Sequence, residues 1–262
     1  MHRFHLPPER WDSATLDPSE SHHCSHVLRL DAGDRITVFD GCGREAQAVI
    51  RAVRSAVVSI EITAASVSPR PPAAITLAQA IPKGKNMDLV VQKAVELGAA
   101  AIVPLVSERT IVQLDQADAL RKQGKWQEIA LEACKQCGQN HLPSVALPVR
   151  MRDFLSHGTG SELPLIASLQ PGARPLKSVL ADFRAEHGRL PRTVTILIGP
   201  EGDFTPAETA SAISSGCHPI TLGPIILRTE TAAIYCLSVL AHECFETREQ
   251  NQHPPANEST GF

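Results

Sequence analysis

The chain has no apolar run of bilayer length. A helix needs roughly 20 consecutive apolar residues to span a membrane, and no stretch of the 262 residues approaches that. Its first residues, Met1-His2-Arg3-Phe4-His5, contain no apolar block of the signal-peptide kind. The two absences point to a cytoplasmic location, no membrane partner, and seven cysteines held as reduced thiols. Net charge is scarce too, at −3. Lys+Arg against Asp+Glu runs 8 to 9 in residues 1–72, 9 to 7 in 73–150 and 8 to 12 in 151–262. No segment has the basic surplus of a nonspecific nucleic-acid binder. An RNA footprint has to come from the arrangement of a few cations, and DNA is not an expected partner.

Common cofactor grammar is also missing. No Gly-x-x-x-x-Gly-Lys-Ser/Thr follows a strand, which excludes the usual phosphate loop. Gly199-Pro200-Glu201-Gly202-Asp203 does not match a dinucleotide fingerprint and puts two carboxylates where a pyrophosphate would sit. No Ser-His-Asp order and no solenoid repeat can be defended. His22, His23, Cys24 and His26 are dense, but too close in sequence to share one tetrahedral ion and without a second ligand pair, so they read as surface histidines and no metal is expected. Cys134 and Cys137 form a C-x-x-C inside a helical pattern, where they read as small apolar residues on one face.

What is present divides into two blocks and a tail. Residues 1–70 read as a small β domain: "DRITVFDGCGREAQAVIRAV" is a strand, an Asp40–Gly43 turn and a second strand, and "AVVSIEIT" is a third. Short strands with glycine turns predict a barrel or compact sheet. "SVSPRPPA" is a Pro-rich break. Over residues 73–246 strands alternate with helices: "AITLAQA", "NMDLVVQKAVELG", "AAIVPLVS", a helix over "DALRKQGKWQEIALEACKQCG", then "SVALPV", "LPLIASL", "TVTILIG" and "PITLG", with a last helix from about Thr229 to Glu246. Such alternation predicts an α/β fold, a mostly parallel sheet with helices on both faces. Residues 247–262 are polar and Pro-containing and read as disordered.

Chemistry gathers at two Gly-Pro loops. "TVTILIGPEGDFTPAE" runs from a buried strand to a helix start with Thr205 as N-cap, Pro206 at the first helical position and Glu208 completing a capping box. "ITLGPIILRTE" echoes it. Loops at the carboxyl ends of parallel strands are where ligands bind, and the carboxylates favour a cationic or neutral ligand. Arg228, Thr229, Glu230 and Thr231 cluster after the second loop, with Thr229 a candidate N-cap. Lys93 and Glu96 read as an i,i+3 ion pair.

Four ordered motifs, "IPKGKNMDLVVQKAVELGAAAIVPLVSERT", "KWQEIALEACKQCGQNHLPSV", "LIGPEGDFTPAE" and "LGPIILRTETAA", resemble the RsmE family of SPOUT-class methyltransferases, which methylate N3 of a uridine in 16S ribosomal RNA. "ESHHCSHVLRLDAGDRITVFDGCG" resembles that family's PUA-like β-barrel. The resemblance implies a trefoil-knotted sheet, a homodimer, and S-adenosyl-L-methionine bordered by Leu169, Gly199, Pro200, Glu201, Gly202, Leu222, Gly223, Leu227 and Thr229. The expected partner is 16S rRNA or the assembled small ribosomal subunit, and the candidate RNA contacts are Arg3, Arg29, Lys83, Lys85 and Arg109. Arg228 and Glu230 are the candidate catalytic residues, Arg228 to stabilise charge on the uracil oxygens, and Glu230 or Glu201 to accept a proton or orient Arg228. The chain departs from the family pattern at Asp203, where Gly is usual, and at Ile225 and Gln139, where Arg is usual. Those departures leave open another rRNA or tRNA base, or an RNA-binding assembly factor with decayed activity.

Overall fold

The computed structural model describes residues 1–54, 57–110 and 115–245. The expected tail lies outside these residues. Two sheets organise the chain. The first holds β1 (Arg3–His5), β2 (Arg35–Phe39), β3 (Arg44–Arg54) and β4 (Val57–Val67) in that order. It is mixed: β1 pairs with β2 in parallel, and β2–β3 and β3–β4 are antiparallel. Residues 14–16 join β4 as well, through a Thr15–Ser59 bridge and the bonds from Leu16 N–H to Val58 O at 3.0 Å and from Ile60 N–H to Ala14 O at 2.9 Å. A short helix α1 (Pro18–His22), capped by Asp17 and continued by a π turn over His23–Val27, covers the sheet. Phe4, Leu6, Trp11, Ile36, Val38, Ala48 and Ile50 form the core of this unit. Cys24 is buried within it, while His22 and His26 stack on each other outside.

The second sheet has eight strands, all parallel. It contains β5 (Ala74–Ala80), β6 (Ala101–Val106), β7 (Ser144–Val145), β8 (Val149–Arg150), β9 (Leu163–Ala167), β10 (Arg174–Pro175), β11 (Thr193–Ile198) and β12 (His218–Thr221). The order is β10-β12-β9-β11-β5-β6-β7, with β8 also on β6. "SVALPV" is therefore two short pieces on one edge rather than one strand. Pro143 and Pro148 flank β7 and its link to β8, and proline cannot donate to a ladder.

Helices cover both faces: α2 (Asn86–Glu96), α3 (Gln116–Cys137), α4 (Met151–Ser156), α5 (Leu176–His187), α6 (Pro206–Ser214) and α7 (Thr229–Phe245). Strand alternation sorts the side chains. Ile75, Leu77, Val194, Ile196 and Ile198 pack towards α2, α3, α5 and α7. Ala78, Ala80 and Leu197 pack towards α4 and α6, beside Met151, Phe204 and Ala212. Of the C-x-x-C pair only Cys134 enters the core; Cys137, the last residue of α3, is exposed. Lys93 and Glu96 pair at 2.8 Å.

The two units meet at the turn Gly41–Gly43 and the segment after α3. Leu142 N–H donates to Gly41 O at 2.8 Å, and Gly43 N–H to Asn140 O at 3.0 Å. Lys135 of α3 pairs with Glu20 of α1 at 2.6 Å, both largely buried. Burial pushes the Glu20 carboxyl up to about 7, outweighing the pull of Lys135. Gln139 also sits at this junction, its Oε1 accepting the His141 N–H at 3.2 Å.

Candidate active site

Three adjacent strands, β12, β9 and β11, end side by side, and the loops after them enclose one cleft. From β9 come Ala167, Ser168 and Leu169; from β11, Ile198, Gly199, Pro200, Glu201 and Asp203; from β12, Leu222, Gly223, Ile225, Ile226 and Leu227. Thr229 and Ala232 of α7 close the inner side. Parallel strands present their carboxyl ends on one edge, so loops distant in sequence converge there.

The first Gly-Pro loop is held from four directions. Gly199 and Pro200 are buried. Thr229 Oγ1 donates to Gly199 O at 2.6 Å, and Gln79 Nε2 donates to Thr229 Oγ1 at 2.9 Å. Lys83 N–H donates to Glu201 Oε1 at 2.9 Å. Thr205 and Glu208 form the expected capping box at the start of α6, and Glu208 Oε1 also accepts the Glu108 N–H at 2.8 Å. Thr229 is not the N-cap of α7. The carbonyl of Arg228 accepts the first helical bond, from Ala232 N–H, and the Thr229 hydroxyl is spent on the loop.

Of the residues expected at a cofactor, Leu169, Gly199, Pro200, Glu201, Leu222, Gly223, Leu227 and Thr229 line this cleft. Gly202 does not; its carbonyl accepts a hydrogen bond from Arg109 on the outer side of the loop. Arg228 is exposed and lies between the lining residues Leu227 and Thr229. Glu230 is not aimed at Arg228: its Oε2 accepts from Asn86 Nδ2 at 3.5 Å. Lys83 and Lys85 are exposed on the loop before α2, and Arg109 is exposed beside them across Glu201 and Gly202. Arg29 is exposed on the N-terminal unit. Arg3 sits at the junction of the two units. Its guanidinium is held by Glu45 and by Asn140 Oδ1 at 2.7 Å and lies over Phe39. That position is a contact between the two units.

Sequence reasoning missed Gln79, fully buried near the end of β5 with its Oε1 unpaired, and Asn86. The available signal was a long amide at the carboxyl end of an otherwise buried central strand, a position next to a ligand cleft.

The lining defines what fits. Backbone groups and apolar side chains suit a flat heteroaromatic ring, two carboxylates suit a cation, and no Lys, Arg or His among the described lining residues is available for a phosphate. Relatives agree with that chemistry. The RNA methyltransferase domain family matches residues 69–241, and the RNA methyltransferase PUA domain matches residues 16–61. Ribosomal RNA small subunit methyltransferase E of Synechocystis is 32% identical over 90% of this chain and 76% of its own. The Bacillus subtilis protein of the same name is 31% identical over 87% and 90%. Among solved structures, ribosomal RNA small subunit methyltransferase E from Neisseria gonorrhoeae, bound to S-adenosyl methionine, superposes with a TM-score of 0.80 at 33% identity over 93% of this chain and 98% of that one. A Legionella pneumophila methyltransferase with bound SAM gives 0.82 at 34% over the same shares. With the RNA methyltransferase domain spanning more than half of the sequence, and full-length relatives above 30% identity, the chain belongs to the family of ribosomal RNA small subunit methyltransferase E.

Proposed function

We propose that this protein uses S-adenosylmethionine to methylate ribosomal RNA of the small subunit, at N3 of a uridine. The observation that carries the reading is the cleft at the ends of β12, β9 and β11, in which backbone, apolar groups and two carboxylates surround a space without a cationic side chain. When bound, the cofactor supplies a methyl group already made electrophilic by its sulfonium charge. The protein then has to align the acceptor, exclude water and manage one proton.

Its own groups suit those tasks. Arg228, exposed beside the cleft, is the group we assign to the negative charge that develops on uracil O2 and O4 when N3 loses its proton. Glu230 is our candidate to receive that proton, with Asn86 orienting its carboxylate. Glu201 is the weaker candidate, because one oxygen already braces the Lys83 backbone. Lys83, Lys85 and Arg109 form a compact cationic rim on loops next to the cleft, and we assign to it the phosphates flanking the target base.

In this reading residues 1–70 dock RNA and residues 73–246 carry the chemistry, in a knotted, cytoplasmic, homodimeric enzyme. A groove along α7 supports the dimer: Leu222 and Gly223 belong both to the cleft and to that groove, which continues along Ile234, Tyr235, Ser238 and Val239. The test is nucleoside mass spectrometry of rRNA from a deletion strain, followed by methylation of its small subunits in vitro with purified protein. Loss and restoration of 3-methyluridine are expected. Loss of a different mark would reassign the base. Intact marks with defective subunits would make the protein an assembly factor.

A further inference from the structure

Asp203 has a role in the cleft that neither the loop grammar nor the family resemblance assigns. It sits in the left-handed region at φ +61°, a conformation that residues with a side chain rarely adopt. Such strain persists only where the surroundings hold the residue, and here they do. The Asp203 N–H donates to Pro200 O at 2.9 Å. Its Oδ1 accepts the Phe204 N–H at 2.8 Å, and its Oδ2 accepts the Leu169 N–H at 3.4 Å. The side chain thus reaches from the first Gly-Pro loop to the end of β9, joining two walls of the cleft.

Both donors to this carboxylate are neutral backbone amides, so its charge is not cancelled, and no ion pair to it occurs among the described residues. Glu201, the other acidic lining residue, accepts the backbone N–H of Lys83 at the outer rim and does not reach across to β9. No cationic side chain among the described residues lines the cleft to neutralise either one.

We propose that Asp203 makes this cleft discriminate by charge, favouring the cationic sulfonium cofactor over the neutral thioether that remains once the methyl has gone. The proposal rests on the reading that S-adenosylmethionine occupies the cleft. Its consequence is preferential release of product at a position where a glycine would supply no field.

Three ligands test it by titration calorimetry on the full chain: S-adenosylmethionine, S-adenosylhomocysteine, and sinefungin, in which a cationic amine stands in for the sulfonium. Asp203→Asn keeps the shape and one acceptor, and asparagine tolerates the left-handed region. Asp203→Gly relieves the backbone and removes the side chain. The wild-type protein is expected to prefer both cations to the homocysteine product. In both variants the affinity for the two cations should fall about three- to tenfold, the size expected of one screened charge across a cleft, with product affinity unchanged. Equal weakening of all three ligands would mean that Asp203 only braces the walls, and an unchanged preference would assign the selectivity elsewhere; either overturns the proposal. Failure of all three to bind the wild-type chain would instead remove the cofactor reading, a result visible before any variant is made.

Discussion

In the first Gly-Pro loop, Gly199 and Pro200 are buried, and the loop is bonded to Thr229, Lys83, Arg109 and Leu169; in the second, Gly223, Pro224, Ile225 and Ile226 are exposed. The second loop has two weak internal ties, Gly223 N–H to Thr221 Oγ1 at 3.4 Å and Thr221 Oγ1 to Gly223 O at 3.5 Å. The glycines differ for the same reason. A Cβ on Gly199 would meet Asp203 Oδ1 at 2.9 Å and Phe204 N at 3.1 Å, whereas nothing lies within 4 Å of one on Gly223. Gly223 is required by its backbone, at φ +113°. One loop is a built wall and the other is a cover, so two similar strings of letters do different work.

The largest expected effect separates them directly. Gly199→Val should abolish cofactor binding and lower the melting temperature, because the added side chain collides with the loop itself. Gly223→Val should abolish binding too, but through backbone strain in an exposed segment, with a much smaller loss of thermal stability. Calorimetry paired with thermal unfolding reads both, and equal melting losses would erase the distinction between wall and cover.

Chemistry comes next. Arg228→Ala should lower kcat by roughly 10²–10³, as loss of one oxyanion donor does, with little change in cofactor affinity. Lysine should rescue it only in part, since it lacks the planar fork. A matching loss of cofactor affinity would place Arg228 in the cover rather than in catalysis.

A buried bond joins the two loops through the start of α7, and it can be cut. Thr229→Val removes the Thr229 donor to the buried Gly199 carbonyl and leaves Gln79 Nε2 with Ala80 O alone, at a cost of about 1–3 kcal/mol. Denaturant unfolding should show that loss, together with weakened cofactor binding. Wild-type stability in this variant would mean that the first wall does not depend on α7.

How much of this was legible follows from the kind of interaction. Thr205, Pro206 and Glu208 were readable as a helix start because a capping box is local. The strand ends at Gly199 and Leu222 were readable because buried parallel strands are continuous apolar runs. Thr229 was misread as a cap, because its partners, Gly199 and Gln79, are 30 and 150 residues away. The tie of Arg3 to Asn140, 137 positions on, was likewise out of reach of any local pattern.

That junction supplies a control remote from both loops. The folded-state pKa of Glu20 is raised above its ordinary 4.5 to about 7, by burial first. Across that window the unfolded chain gives up its proton before the folded one does, so stability should fall as pH rises from about 4.5 to about 7. Glu20→Gln should flatten that part of the melting-temperature profile and leave cofactor affinity alone. An unchanged slope would show that Lys135 satisfies the carboxylate after all.

The smallest effect belongs to the exposed second loop. Ile225→Arg should tighten RNA binding modestly, steepen its log–log salt dependence by about one, and leave kcat unchanged in a filter-binding and turnover comparison. Recovery of activity from a silent wild-type enzyme would mark the chain as a decayed methyltransferase.

By itself the sequence determined the alternation of strands and helices, the capped start of α6 and the two Gly-Pro turns, because periodicity, caps and turn residues act within a few positions of one another. Only the tertiary structure decided that the first turn is braced and the second exposed, that Asp203 faces Leu169 across the cleft, and that Glu230 turns to Asn86. Those contacts are set by strand order, β12-β9-β11-β5, which brings together chain segments 30 or more residues apart. No local pattern encodes which of several parallel strands will be neighbours.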